Sequence, residues 1–293
     1  MKKNNNIKII LIIILSIIAL GITTLMCLLL TNNHFLNFNV QNKSTLLYEK
    51  TYQQTPTEIN LDLDWEDLNI KESNNDKIKI VIYGKDGSKA SSTFENNILN
   101  INIKNKNYFC IGFCNYKDEV NLYLPKNIAS TLNVNTKSGD INIDSFKNLS
   151  LNIGANSADI NTGNIKDSTI TTHSGDIKIT ESNQTNLQTN SGDIKVIKTN
   201  QANLKTDSGD IEVNHITKST HITTSSGEVN INKFTILKNS AIKTSSGDVS
   251  IKNITDSYIN TTTSSGDVKV KHNDRYQQIE LKINTSSGDI TVQ

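Results

Sequence analysis

From about residue 130 onward, apolar side chains recur at every second position in short runs. Examples are Ile141 and Ile143, Ile177 and Ile179, Ile194 and Val196, Ile211 and Val213, Val229 and Ile231, and Val249 and Ile251. Alternation of this kind turns one row of a strand inward and the other outward. A second apolar row precedes each pair: Val134, Ile153, Ile170, Leu187, Leu204, Ile222, Ile242 and Ile283.

Between the two rows lies a recurring tripeptide. It reads Ser138-Gly139-Asp140, Ser174-Gly175-Asp176, Ser191-Gly192-Asp193, Ser208-Gly209-Asp210, Ser246-Gly247-Asp248, Ser265-Gly266-Asp267 and Ser287-Gly288-Asp289. Ser157-Ala158-Asp159 and Ser226-Gly227-Glu228 are variants, and the central residues fall 17 to 22 apart. Three positions before most of these glycines stands a threonine, as at Thr136, Thr172, Thr189, Thr206, Thr224, Thr244, Thr263 and Thr285. Each unit therefore predicts a strand, a tight turn, a second strand and a polar return. Gly supplies the turn with conformations closed to other residues, and Ser and Asp hydrogen-bond to nearby backbone. Ala158 is expected to mark a distorted or differently wound turn.

One unit cannot bury its own apolar rows, but stacked units build a continuous core. Residues 129–293 are thus expected to form an all-β solenoid (β-helix) of nine Ser-Gly-Asp repeats. Residues 46–128 alternate less regularly, as in Ile59-Asn60-Leu61, Leu68-Asn69-Ile70, Ile78-Lys79-Ile80 and Val120-Asn121-Leu122, with Pro125 ending the last strand. They predict an irregular N-terminal β segment that caps the first coil, with Trp65 in its core.

The amino-terminal region differs. Ile9 to Leu30 carries no charge over 22 residues, which spans a bilayer core as a helix. Lys2, Lys3 and Lys8 precede it and no basic residue follows until Lys43. The positive-inside rule then leaves residues 1–8 in the cytoplasm, makes 9–30 a single transmembrane anchor, and places 31–45 outside as a polar spacer. An uncleaved anchor is expected over a cleaved signal peptide, because no small-x-small site follows. The expected location is the cell membrane, with the carboxy-terminal domain extracellular.

Composition narrows the function. The formal net charge is +1, and Arg275 is the lone arginine among 30 basic residues. Nothing steers the chain toward nucleic acid. The histidines His34, His173, His215, His221 and His272 show no ligand or triad spacing, and no nucleophile stands out among the abundant Ser and Thr. Neither catalysis nor a cofactor is expected.

Three features invite a binding role. The acidic column Asp140, Asp159, Asp176, Asp193, Asp210, Glu228, Asp248, Asp267 and Asp289 would repel itself when stacked. Calcium would relieve that, but acceptance of backbone N–H bonds is the favoured reading. Cys110 and Cys114 bracket Gly112 in an exported segment. A disulfide, two free thiols and a metal site all remain open for them. The threonine columns are either a hydroxyl surface for glycan or water, or ordinary strand formers. A chain stopping soon after Asp289 further predicts self-association through an uncapped C-terminal rung.

An anchor, an irregular β segment ending in Leu124-Pro125, and stacked units such as Thr244-Ser245-Ser246-Gly247-Asp248-Val249 resemble a bacterial "putative adhesin" family of unknown function. The resemblance covers about residues 46 to 293. It implies a β-helical surface domain tied to the cell envelope and, for some relatives, envelope-stress responses. It says little about ligand; the partners expected for this chain are the membrane at its anchor and an envelope polymer, a peptide or a protein. The overall expectation is a membrane-anchored, non-catalytic binding or adhesion module. The alternative is an envelope-stress or structural component that binds antimicrobial peptides or a membrane partner.

Overall fold

The computed structural model describes residues 16–18, 20–24, 44–85, 87–104, 118–255, 257–271 and 277–293. The chain divides into two compact units, Met1–Asn42 and Lys43–Gln293.

In the first unit, 16–18 and 20–24 are helical, and Ile17, Ile18, Leu20 and Ile22 are exposed. Among the described residues no helix is long and apolar enough to cross a membrane, so the expected transmembrane helix over 9–30 finds no support in the fold. The rest of that stretch lies outside the described residues, as do Cys110 and Cys114.

The second unit is all β. Its strands are β1 (Thr45–Tyr52), β2 (Glu58–Asp62), β3 (Asp67–Glu72), β4 (Ile78–Gly84), β5 (Lys89–Glu95), β6 (Ile98–Lys104) and β7 (Glu119–Leu124). Next come β8 (Thr131–Ser138), β9 (Ile141–Ile143), β10 (Phe146–Ser157), β11 (Ile160–Thr171), β12 (Ile177–Gln188), β13 (Ile194–Lys205) and β14 (Ile211–Thr223). The chain ends with β15 (Val229–Phe234), β16 (Ser240–Lys243), β17 (Val249–Ile254), β18 (Tyr258–Thr262), β19 (Val268–Val270), β20 (Glu280–Asn284) and β21 (Ile290–Val292).

Parallel pairing stacks these strands into a solenoid with two arms joined at the tripeptide turn. The arm before the turn runs β6, β2, β8, β10, β11, β12, β13, β14, β16, β20, β18. The arm after it runs β7, β3, β9, β11, β12, β13, β14, β15, β17, β21, β19. Like residues sit above like. Ile160, Ile177, Ile194 and Ile211 are Cα partners in series and are at most 1% exposed. Ile170, Leu187, Leu204 and Ile222 do the same on the other arm. Phe146, Ile165, Ile216 and Phe234 fill a third, buried corner.

Two findings correct the expected order. Residues 58–124 are not a separate cap, because β2, β3, β6 and β7 are themselves solenoid levels. The actual closure is antiparallel: β5 covers β6, while β4 and then β1 extend from β7. At the other end, β20 and β21 lie between the β16/β17 level and the β18/β19 level. The rung formed by the last residues is therefore internal, and the outermost rung is β18/β19. Every unit carries the same motif, so either stacking order satisfies the local pattern.

The turn explains the glycine requirement. A β-carbon built on Gly209 would stand 1.9 Å from the Gly192 carbonyl oxygen, and one on Gly227 would stand 1.8 Å from that of Gly209. The threonine column seals this contact. Thr189, Thr206 and Thr224 are 1–2% exposed, and their hydroxyls donate to the carbonyls of Gly175, Gly192 and Gly209 at 3.1–3.4 Å. The prospect of a hydroxyl surface at this column is thereby removed: these groups are internal, satisfying carbonyls that water cannot reach.

Candidate functional site

The acid after each turn glycine begins the second arm, so stacking lines these acids up along the solenoid. Their main partner is backbone. The N–H groups of Asp176, Asp193 and Asp210 donate to Oδ1 of Asp159, Asp176 and Asp193 at 2.8–2.9 Å, and Glu228 N–H donates to Asp210 Oδ1 at 2.9 Å. Farther along, Asp289 donates to Asp248 and Asp267 to Asp289, each at 2.8 Å. Each of these accepting carboxylates thus takes a charge-assisted bond from the next level, which offsets the repulsion of stacked acids. Among the described residues the ladder breaks between Asp140 and Asp159, at the Ala158 turn, and between Glu228 and Asp248. The first break falls at the turn where Ala replaces Gly, and the second falls between two glycine turns.

One member of the column carries no tripeptide. Asp140 N–H donates to Asp67 Oδ1 at 3.0 Å, so Asp67 extends the acids into the N-terminal segment. Its turn is Asp64-Trp65-Glu66, and Gly139 (φ +110°) packs so closely that a β-carbon there would be 2.4 Å from the Glu66 carbonyl oxygen. The signal available in the sequence was the alternation Asp67-Leu68-Asn69-Ile70, which copies the Asp-Ile-x-Ile of the repeats. Trp65 is not core: it is 49% exposed, and its indole N–H donates to Asp118 Oδ2 at 3.4 Å. Burial raises the Asp118 carboxyl above the ordinary range. The Trp65 hydrogen bond opposes that rise, and the nearby Glu66 charge adds to it.

Beside the acid ladder runs a cleft of about 640 Å³. One wall is Asp159, Asp176, Asp193 and Asp210; the other is the outward row Asn161, Lys178, Lys195, Glu212 and Asn230, with Asn232 and Lys252 at one end. Lys195 Nζ bonds Glu212 Oε2 at 2.5 Å across one level. With Oδ1 engaged by the ladder, the second oxygens of the exposed acids remain for solvent or ligand. The cleft therefore repeats acceptors, amides and ammonium groups at the level spacing of about 4.8 Å. It has five carboxylates against three lysines.

The first arm carries a different polar column. Asn60 Nδ2 donates to Asn100 Oδ1 (3.0 Å), Asn133 to Asn60 (2.8 Å) and Asn152 to Asn133 (2.9 Å); Thr169 interrupts the column, which resumes with Asn203 to Asn186 (2.9 Å). This amide ladder escaped the motif reading because Asn is common throughout the chain. Among the described residues no cluster of three or more His, Cys, Asp or Glu is arranged to hold a metal. His215 lies between Lys198 and Lys233 in the pairing register. Its pKa is lowered, first by burial and then by the Lys233 and Lys198 charges.

Fold and cleft together define a β-solenoid surface built from one repeated turn. A family model, Toastrack DUF4097, matches residues 56–233 and 160–293, and the chain belongs to that family. No curated protein matches it significantly. Similar solved structures include a "putative adhesin" from Bacteroides fragilis NCTC 9343, with 15% identity over 86% of this chain and 99% of that one and a TM-score of 0.49. A "putative cell adhesion protein" from Clostridium sporogenes ATCC 15579 shares 12% identity over 85% and 99%, with a TM-score of 0.28. A "putative lipid binding protein" from Parabacteroides distasonis ATCC 8503 shares 17% over 84% and 96%, with a TM-score of 0.45.

Proposed function

We infer that this chain is a membrane-anchored, non-catalytic binding module that displays its solenoid outside the cell. The observation carrying the reading is the cleft beside the acid ladder, where the same polar groups recur level after level. Such a row matches an extended ligand whose own groups repeat, an envelope polymer above all. It offers neither a base paired with a nucleophile nor a single focal pocket. The uncharged stretch 9–30 behind Lys2, Lys3 and Lys8 supports anchoring with the amino terminus inside.

The acidic excess of the cleft favours a second reading, an envelope-stress component that captures cationic peptides. Immobilised full chain exposed in parallel to isolated envelope polysaccharide and to a cationic amphipathic peptide separates the two. Saturable polysaccharide binding that Lys178→Ala with Lys195→Ala weakens supports the first. Peptide binding that strengthens in the same variant supports the second.

A further inference from the structure

The stack has two ends, and they are finished differently. At the β6/β7 end, antiparallel strands β5 and β1 close the sheet, and their edges carry Lys89, Glu95, Glu49 and Lys50. Charged edge strands of this kind block further pairing. The β18/β19 end has no such cover among the described residues.

The open end is an interrupted pattern. From Leu68 to Ile290, the residue after each turn acid donates its N–H to the acid carbonyl of the next level, at 2.8–2.9 Å. Val268 occupies this position on the outermost rung and has no such acceptor among the described residues. The same column is 0–1% exposed at every other level, whereas Val268 is 44% exposed. Asp267 gives its N–H to Asp289 Oδ1, and among the described residues its own carboxylate receives no amide. Among the described residues, the strand pairing of the β19 edge is unsatisfied.

A second copy of this chain presents only the same face, because its other end is closed. Two copies must then meet about a two-fold axis, with β19 antiparallel to β19. The geometry points to a tail-to-tail dimer with that axis passing through Val268. In a strand, N–H and C=O of one residue point to the same edge, so the two Val268 residues exchange both hydrogen bonds. Their side chains cover one another, and Asp267 of each copy stands opposite Lys269 of the other. Acid and base sit two residues apart on this strand, which makes the edge complementary to itself. Because each copy has one open end, the assembly stops at two and forms no fibre.

Site-directed cross-linking tests this in the full chain, with Cys27, Cys110 and Cys114 replaced by Ser. Under mild oxidation Val268→Cys should yield a covalent dimer on a non-reducing gel. Lys89→Cys, on β5 at the closed end, should remain monomeric. Sedimentation of the chain with its native Val268 should show a dimer, and Val268→Lys should weaken it at least tenfold while leaving the circular dichroism unchanged. Cross-linking at Lys89→Cys equal to that at Val268→Cys, a series of higher oligomers, or dimerisation indifferent to Val268→Lys would overturn the proposal.

Discussion

Asp210 donates its backbone N–H to Oδ1 of Asp193, 2.8 Å away on the neighbouring level. The bond ties side-chain chemistry to strand register, since it forms only when acids of successive units lie above one another. Replacing Asp193 by Asn keeps an acceptor, and replacing it by Ala removes it. A hydrogen bond to a charged group contributes roughly 1.5–3 kcal/mol, the lower end applying at an exposed site. Asp193→Ala should therefore cost about 1.5 kcal/mol in chemical denaturation, and Asp193→Asn clearly less.

The glycine stack should be far less forgiving. Gly209→Ala sets a β-carbon 1.9 Å from the Gly192 carbonyl oxygen, a backbone atom that cannot swing away. Gly154→Ala meets only the Asn135 side-chain oxygen, at 3.2 Å. Overpacking a rigid contact costs about 1–3 kcal/mol or more. The denaturation midpoint should fall sharply for the first substitution and hardly move for the second.

Because β20 and β21 separate the β16/β17 level from β18/β19, the outermost rung holds to the solenoid only through the last residues. Deleting 279–293 should then release two levels. Amides of 258–270 should lose hydrogen-exchange protection along with the deleted rung, while those of 240–254 keep most of theirs. Retained protection in 258–270 would show that it pairs directly with β16/β17.

His215 gives the fold a pH dependence of definite sign. Its lowered pKa means that the folded chain binds fewer protons there than the unfolded chain does, so its contribution to stability falls as pH drops below about 6.5. Denaturation midpoints should decline from pH 7.5 to pH 5.5, with the decline reduced in His215→Gln. An unchanged slope in that variant would place the proton uptake elsewhere.

The coil itself was legible because its signal is redundant. Ile177, Ile179 and Leu187 repeat the pattern of Ile194, Val196 and Leu204, and Gly192 admits no substitute. The ends were not legible. Gly247, Gly266 and Gly288 all sit in Thr-Ser-Ser-Gly-Asp, so the motif offers no reason for Gly288 to stack on Gly247 with Gly266 beyond it, as it does. Asp67 was hidden because Trp65-Glu66 replaces Ser-Gly in its turn. For Thr206 the sequence left both a hydroxyl surface and an ordinary strand former open. Its hydroxyl is satisfied by the Gly192 carbonyl, and that bond is visible only once levels are stacked. Cys110 and Cys114 lie outside the described residues, and their pairing is a matter for thiol titration of the purified chain.

Carbodiimide labelling of carboxylates, read residue by residue in the presence and absence of isolated envelope polysaccharide, tests the cleft most directly. The expected result is protection at Asp176, Asp193, Asp210 and Glu212, none at Asp62 or Glu95, and recovery of the polymer at its original length. Protection confined to acids outside the cleft, or shortened polymer chains, would contradict it.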